Sequence, residues 1–238
     1  MRAMEDVSPP QRRIRSFVLR AGRITAAQQR ALTELWPSYG IDLPAAPTLL
    51  DLDLLFGRQA PRSLEIGFGN GDNLLGLAKA YPERDFIGVE VHRAGVGHFL
   101  LAAHEAGVAN LRVICHDAVE VLERYLAADS LDEVLILFPD PWHKKRHHKR
   151  RLVQPAFVNL LASRLARGGR LQLATDWQPY ATQMLEVVGA DVQFENLAGD
   201  IASAGFMPRP HWRALTRFER RGQRLGHGVW DLSFARIG

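Results

Sequence analysis

A single cysteine, Cys115, among 238 residues excludes an intramolecular disulfide and any zinc site built from several cysteines, so a reducing compartment costs the protein nothing. No apolar run approaches the ~20 residues that a membrane-spanning helix needs, and the N-terminal region holds no signal-peptide core. The expected compartment is therefore the cytoplasm. The Arg-rich start imitates a transit peptide, but Glu5 and Asp6 count against one. Internal repeats are missing, and so is low-complexity sequence apart from one basic run. What is present, 47% apolar residues over this length, can bury a large core. The expectation is one domain over residues 58–238 with a basic arm and short helices, residues 1–57, packed on it.

Positive charge is concentrated rather than spread. The net charge is +4, and six cations lie within Lys144-Lys145-Arg146-His147-His148-Lys149-Arg150-Arg151, which leaves the remainder at −2. A polyanion is the expected partner, and nucleic acid is favoured over membrane because no amphipathic apolar face accompanies the charges. Residues 1–24 are also Arg-dense (Arg12, Arg13, Arg15, Arg20, Arg23) and read as an arm. His143 and His147 would stand one helical turn apart and raise a metal site. Only Asp140 could be a third ligand, and the surrounding cations oppose a metal, so these histidines read as auxiliary phosphate donors and no metal is expected.

Thr25 and Gln28 form a capping-box pattern that starts a helix with Leu32, Leu35 and Trp36 on one face, ended by Pro37. A second short helix, with Leu49, Leu50, Leu54 and Leu55 as its apolar positions, should stop at Gly57. From Ser63 onward strands near 63–67, 86–90, 111–115, 132–138 and 170–175 alternate with helices near 72–81, 93–106, 118–127, 152–166 and 179–188. Such alternation predicts a doubly wound α/β fold with a mostly parallel sheet. Residues 191–197 and 228–236 follow as two strands without a helix between them, an antiparallel pair at one edge. The Arg-, Gly- and Pro-rich stretch from Gly205 to Gly228 reads as loop.

Leu64-Glu65-Ile66-Gly67-Phe68-Gly69-Asn70-Gly71 closes the first strand and opens the next helix, where doubly wound folds bind nucleotides. Gly67 and Gly69 would let the backbone approach a ligand, although a tight turn needs glycine whether or not anything binds. The spacing is G-x-G-x-G, not the dinucleotide G-x-G-x-x-G, and Glu65 beside the loop would repel a pyrophosphate. It suits a cofactor carrying an amine and a sulfonium, S-adenosylmethionine. Glu90, roughly 20 residues beyond Gly71, can accept ribose hydroxyls, and Asp117 is placed for the adenine amino group. One acid at a strand end is commonly a helix cap. Glu65, Glu90, Asp117 and Asp140 at four consecutive strand ends fit a single ligand crevice better.

Asp140 sits in Phe138-Pro139-Asp140-Pro141-Trp142, where two prolines fix φ and disfavour helix before them. Such stiffness suits a positioned catalytic group. At these residues the chain resembles the bacterial tRNA (guanine-N7)-methyltransferase family, class I S-adenosylmethionine-dependent enzymes of Rossmann-like fold. The matching segments are Arg15-Ser16-Phe17-Val18 with Gly22-Arg23, Leu64 to Gly71, Gly88-Val89-Glu90-Val91-His92, Cys115-His116-Asp117-Ala118, Phe138 to Arg151, Ala174-Thr175-Asp176-Trp177, Thr216-Arg217-Phe218-Glu219 and Arg224 to Trp230. The Pro-Asp-Pro-Trp-His-Lys block and Thr-Arg-Phe-Glu are the specific ones, and the match runs from about Arg12 to Arg236.

The resemblance implies cofactor binding by Glu65, Glu90, Asp117 and Asp140, with Asp140 also catalytic. It implies RNA substrate binding by Lys144, Asp176, Thr216, Arg217, Phe218 and Glu219, and methylation of guanosine 46 in the tRNA variable loop. Lys145, Arg146, Lys149, Arg150 and Arg151 read as phosphate contacts, and Phe218 as a residue that either stacks on a base or packs. Competing readings are a methyltransferase with another target, a non-catalytic RNA-binding protein of this fold, and a nicotinamide-dependent oxidoreductase, which the glycine spacing and Glu65 disfavour.

Overall fold

The structure, a computed structural model, describes residues 15–18, 23–199, 203–213, 219 and 228–238. Its strands are β1 (Arg62–Ile66), β2 (Asp85–Val89), β3 (Leu111–Ile114), β4 (Leu131–Leu137), β5 (Leu165–Thr175), β6 (Phe194–Asn196) and β7 (Trp230–Arg236). They form one sheet in the order β3-β2-β1-β4-β5-β7-β6. The first five run parallel, and β7 pairs antiparallel with both β5 and β6. This is the doubly wound sheet with an antiparallel edge that the sequence pattern predicts.

Successive side chains alternate across a strand, and β4 shows the consequence. Val134 and Ile136 face one apolar layer, while Leu135 and Leu137 face the other. The first layer is supplied by α6 (Ala118–Arg124), α7 (Pro155–Arg164) and α8 (Gln178–Gly189) through Val121, Leu122, Val158, Leu161, Met184 and Val188. The second comes from α1 (Ala26–Glu34), α4 (Asp72–Ala80) and α5 (Arg93–Ala106) through Leu32, Leu74, Leu77, Phe99 and Leu100. Strand order reverses between β1 and β4, so the ligand crevice belongs at their C-terminal ends.

Three boundaries differ from expectation. The Thr25 capping box forms, with Gln28 N donating to Thr25 Oγ1 at 3.2 Å and Thr25 N donating to Gln28 Oε1 at 2.9 Å. The helix ends at Glu34, however, and Pro37 lies in the first turn of α2 (Trp36–Tyr39), where its missing N–H costs nothing. In α3 (Leu52–Phe56), capped by Asp51 and ended by Gly57 at φ +69°, Leu52 is the buried residue while Leu49 and Leu54 are exposed. A single turn is too short for helical periodicity to select a face. β5 begins at Leu165 instead of Arg170, and a register shift opposite Leu131 and Glu133 absorbs the extra residues, which include Gly168 at φ +80°. Between the edge strands, residues 203–205 form a short 3-10 turn and Met207 bridges to Asp231.

Candidate active site

The turn after β1 is held by its neighbours. Glu90 Oε2 accepts from Gly69 N at 2.9 Å, and Oε1 accepts from Val91 N and His92 N at 2.8 and 2.9 Å. The acid after β2 thus clamps the glycine turn and keeps a fixed orientation. Gly95 in α5 packs so closely that an added Cβ would lie 2.5 Å from Gly69 O. Glu65 points to the α4 face, 3% exposed, and accepts from Asn73 Nδ2 at 2.9 Å. Burial pushes its pKa up to about 7 against the lowering effect of Asn73. Asp117 is the N-cap of α6, its Oδ1 accepting from Val119 N at 2.9 Å.

Two adjoining cavities open over the strand tips. One, of about 190 Å³, is walled by Gly67, Glu90, Asp117 and Asp140 and roofed by Ser16 and Phe17 of the N-terminal arm. The other, of about 380 Å³, contains Glu65, Gly69 and Asn73 and shares Gly67, Glu90 and Phe138 with the first. The six residues expected to hold the cofactor therefore line these two adjoining cavities. Nothing lies within 4 Å of a Cβ added to Gly67 or Gly69, so the glycine backbone faces free volume. Carboxyl groups at both ends, with Ile66, Val89, Leu137 and Phe138 between them, fit a ligand that is cationic at the Glu65 end and bears hydroxyls near Glu90.

A third cavity, of about 510 Å³, lies on the outer side of Asp140 and is lined by Val18, His92, Trp142, His143, Lys144 and His147. Asp140 is exposed and belongs to both sides of this wall. The segment that carries it is strained at both ends. Phe138 has φ +54° and Trp142 φ +47°, left-handed values that cost bulky residues on the order of 1–3 kcal/mol each unless the surroundings impose them. Phe138 N donates to Ala174 O at 2.8 Å. Trp142 Nε1 donates to Ser16 O at 2.9 Å, with the Arg150 guanidinium 4.9 Å over its ring and the His147 ring edge-on at 5.8 Å.

The basic run forms a 3-10 helix, Lys145–Arg150, rather than presenting all its charges outward. Lys144, Lys145, Arg146 and Lys149 are exposed, and Arg150 is half-buried against Trp142. Arg151, expected among the phosphate contacts, is 3% exposed and is an internal strut. Its Nε donates to Pro141 O at 2.9 Å, Nη1 to Gln183 Oε1 and Nη2 pairs with His148 at 3.1 Å, while the guanidinium lies 4.8 Å over Tyr180. The histidines do not converge: His143 packs on the edge of Trp177 at 4.3 Å, and His147 on Trp142.

Comparison with known proteins decides what this crevice belongs to. Residues 59–232 match a family model described as "Putative methyltransferase". A tRNA (guanine-N(7)-)-methyltransferase of Stutzerimonas stutzeri is 55% identical over 99% of this chain and 97% of its own length. Another, from Leifsonia xyli subsp. xyli, is 59% identical over 93% of this chain and 95% of its own. The chain belongs to the tRNA (guanine-N(7)-)-methyltransferase family. Among solved structures, the 16S rRNA methyltransferase KamB superposes with a TM-score of 0.59 at 16% identity, covering 80% of this chain and 95% of that one. A variant 16S rRNA (adenine(1408)-N(1))-methyltransferase from Catenulisporales acidiphilia, solved with cosubstrate SAM, gives 0.51 at 19% identity over 82% of this chain and 96% of that one. Both show the class I methyltransferase fold.

Within this family member the expected substrate residues are not all gathered at the outer cavity. Lys144 lines it. Asp176 is half-buried just past the end of β5, the strand beside that of Asp140, and lines none of the three cavities. Thr216, Arg217 and Phe218 lie outside the described residues. Glu219 is 1% exposed and forms a bidentate pair with Arg213 at 2.6 and 3.0 Å, so its carboxylate is engaged inside the fold. His92, which lines all three cavities, is a residue that sequence reasoning missed as part of the site. Its position two residues beyond the strand-end acid Glu90 was the available signal. Phe17, an aromatic in a polar arm, has no periodicity to place it, and only its place in the matching segment Arg15-Ser16-Phe17-Val18 singled it out.

Proposed function

We propose that the protein transfers a methyl group from S-adenosylmethionine to N7 of guanosine in tRNA, at position 46 of the variable loop, giving N7-methylguanosine. One observation carries the reading: Asp140 stands in the wall between an acidic crevice and an outer cavity rimmed by Lys144, Trp142 and His143. Relatives at 55% and 59% identity bear the name of this activity.

S-adenosylmethionine supplies an activated methyl group on a sulfonium. Glu65 receives its amine, Glu90 the ribose hydroxyls and Asp117 the adenine amino group. Guanine N7 carries an in-plane lone pair and no proton, so its attack requires no general base. Catalysis is then mostly alignment and electrostatics. Asp140 orients the base by accepting from guanine N1 or the exocyclic amine, and its negative charge offsets the positive charge that grows on the ring. The base has to leave its stack in folded tRNA to reach the outer cavity. Lys144, Lys145, Arg146, Lys149 and Arg150 supply the phosphate contacts that offset this cost. A tRNA substrate and a lone cysteine agree with a cytoplasmic enzyme, and no described helix is long and apolar enough to cross a membrane.

Incubation with unmodified tRNA and methyl-labelled cofactor, then nuclease digestion and nucleoside identification, tests the assignment. Label in any product other than N7-methylguanosine overturns it. Asp140→Ala is expected to lower turnover about 100-fold or more with tRNA affinity within a few-fold of wild type, and near-normal turnover would remove Asp140 from the catalytic role.

A further inference from the structure

The sheet face that carries α1, α4 and α5 is closed differently over β5 and β7. On β7, Leu232 and Phe234 pack toward α8, so Asp231 points the other way. There it meets Arg213, whose side chain is fully buried. Arg213 Nε and Nη2 donate to the two Asp231 oxygens at 2.8 and 3.0 Å, and Nη1 and Nη2 donate to the two Glu219 oxygens at 2.6 and 3.0 Å. Arg209, with Nε 3.2 Å from Glu219 Oε1, balances the second carboxylate. Burial opposes the Arg213 charge, but these hydrogen bonds outweigh it and hold the pKa above its ordinary value.

The guanidinium carbon lies 5.3 Å from the centre of the Phe138 ring. Phe138 is the strained left-handed residue at the end of β4, and it is separated from Asp140 only by Pro139. Its N–H is held by Ala174 O, and Ala174 is the register partner of Asp231. Arg213, Asp231, Ala174 and Phe138 therefore close a ring of contacts directly behind the residue proposed to do the chemistry. A buried network of charges is seldom the most stabilising way to fill a core, since apolar residues of similar volume commonly do as well. What it supplies here is a fixed geometry, because the planar guanidinium satisfies both carboxylates and stacks on the ring at once.

We propose that Arg213 is a positioning residue for methyl transfer, holding Phe138 and through it the direction of Asp140, and that Glu219 acts on Arg213 rather than on RNA. This rests on the methyl-transfer reading above. The variants Arg213→Lys, Glu219→Gln and Phe138→Leu test it, each measured for unfolding midpoint, tRNA affinity by filter binding and single-turnover rate at saturating tRNA and cofactor. All three are expected to lose roughly 10- to 100-fold in single-turnover rate, the scale of a misplacement of about 1 Å at the reacting group. Their tRNA affinities stay within about threefold of wild type, and Phe138→Leu, which leaves the ion network whole, melts within a few degrees of wild type. Should Arg213→Lys fail to fold, the other two variants decide. A Glu219→Gln protein that binds tRNA tenfold more weakly yet turns over normally when saturated would make Glu219 an RNA ligand and sink the proposal. So would a Phe138→Leu protein that reacts at the wild-type rate. If wild type labels a different nucleotide, the same rates are compared on that product, so the two readings fail separately.

Discussion

Trp142 donates its indole N–H to the carbonyl of Ser16, 2.9 Å away and separated by 126 positions of sequence. Phe17, the next residue, lines the cavity walled by Glu90, Asp117 and Asp140, and Val18 lines the outer cavity. One hydrogen bond thus joins the arm to the segment that bears Asp140. Trp142→Phe keeps a ring for Arg150 and His147 to pack on but leaves the Ser16 carbonyl without its donor. The net loss of such a bond, about 0.5–1.5 kcal/mol, predicts two- to tenfold weaker binding of the cofactor by calorimetry. Unchanged affinity would show that the arm does not shape the crevice.

Arg151 and Lys149 look alike in the sequence and should behave oppositely. Arg151→Ala leaves Pro141 O and Gln183 Oε1 without their buried donor, which predicts destabilisation of about 2–3 kcal/mol in urea unfolding. The salt dependence of tRNA affinity should not change. Lys149→Ala touches nothing buried and should alter stability by less than about 0.5 kcal/mol. It should flatten the plot of log affinity against log salt by about 0.7–0.9 if Lys149 meets a phosphate. Measuring both variants by both methods gives a crossed pattern, and parallel effects would contradict the assignment.

The contrast shows what a sequence can and cannot reveal. The parallel sheet was legible because strand and helix periods differ and alternate cleanly from Ser63 onward. The gathering of Glu65, Glu90, Asp117 and Asp140 around the cavities over the strand tips was legible because the topology brings the C-terminal ends of consecutive strands together. Arg151 was misread because a charge at the end of a basic run carries no sign that the 3-10 helix turns it under α8. Arg213 was missed for a related reason: its partners Glu219 and Asp231 are brought together by the edge strand β7, not by a local pattern. Leu52 was overlooked in favour of Leu49 and Leu54 because one helical turn has no periodicity to read.

Two left-handed glycines separate backbone strain from steric exclusion. Gly71, at φ +82°, would place a new Cβ 1.9 Å from the Phe99 ring, whereas Gly57, at φ +69°, has nothing within 4 Å. Gly57→Ala should therefore cost only the conformational penalty, about 1–2 kcal/mol. Gly71→Ala adds a clash with a fully buried ring and should cost more, by about 1–3 kcal/mol of overpacking. Because Gly71 closes the turn that Glu90 clamps, its variant should also lose cofactor affinity while Gly57→Ala keeps it. Equal losses of stability would mean that Phe99 moves aside.

Glu65 makes the ligand-free protein sensitive to pH in an unusual direction for a carboxylate. Its folded pKa, about 7, stands above the ordinary value of 4.5 because burial penalises the charge. Between those values the folded chain holds a proton that the unfolded chain releases, so stability is full below pH 4.5, falls as pH rises and levels off above 7. The loss is bounded by about 3 kcal/mol. Glu65→Gln cannot titrate and should show no such decline when unfolding is followed from pH 5 to 8. A bound ammonium would reverse the preference and draw the proton off. Cofactor binding near pH 6 should then release about one proton, seen as a dependence of the calorimetric heat on buffer ionisation enthalpy, and Glu65→Gln should release none. Identical buffer dependence in the two proteins would place the cofactor's amine away from Glu65.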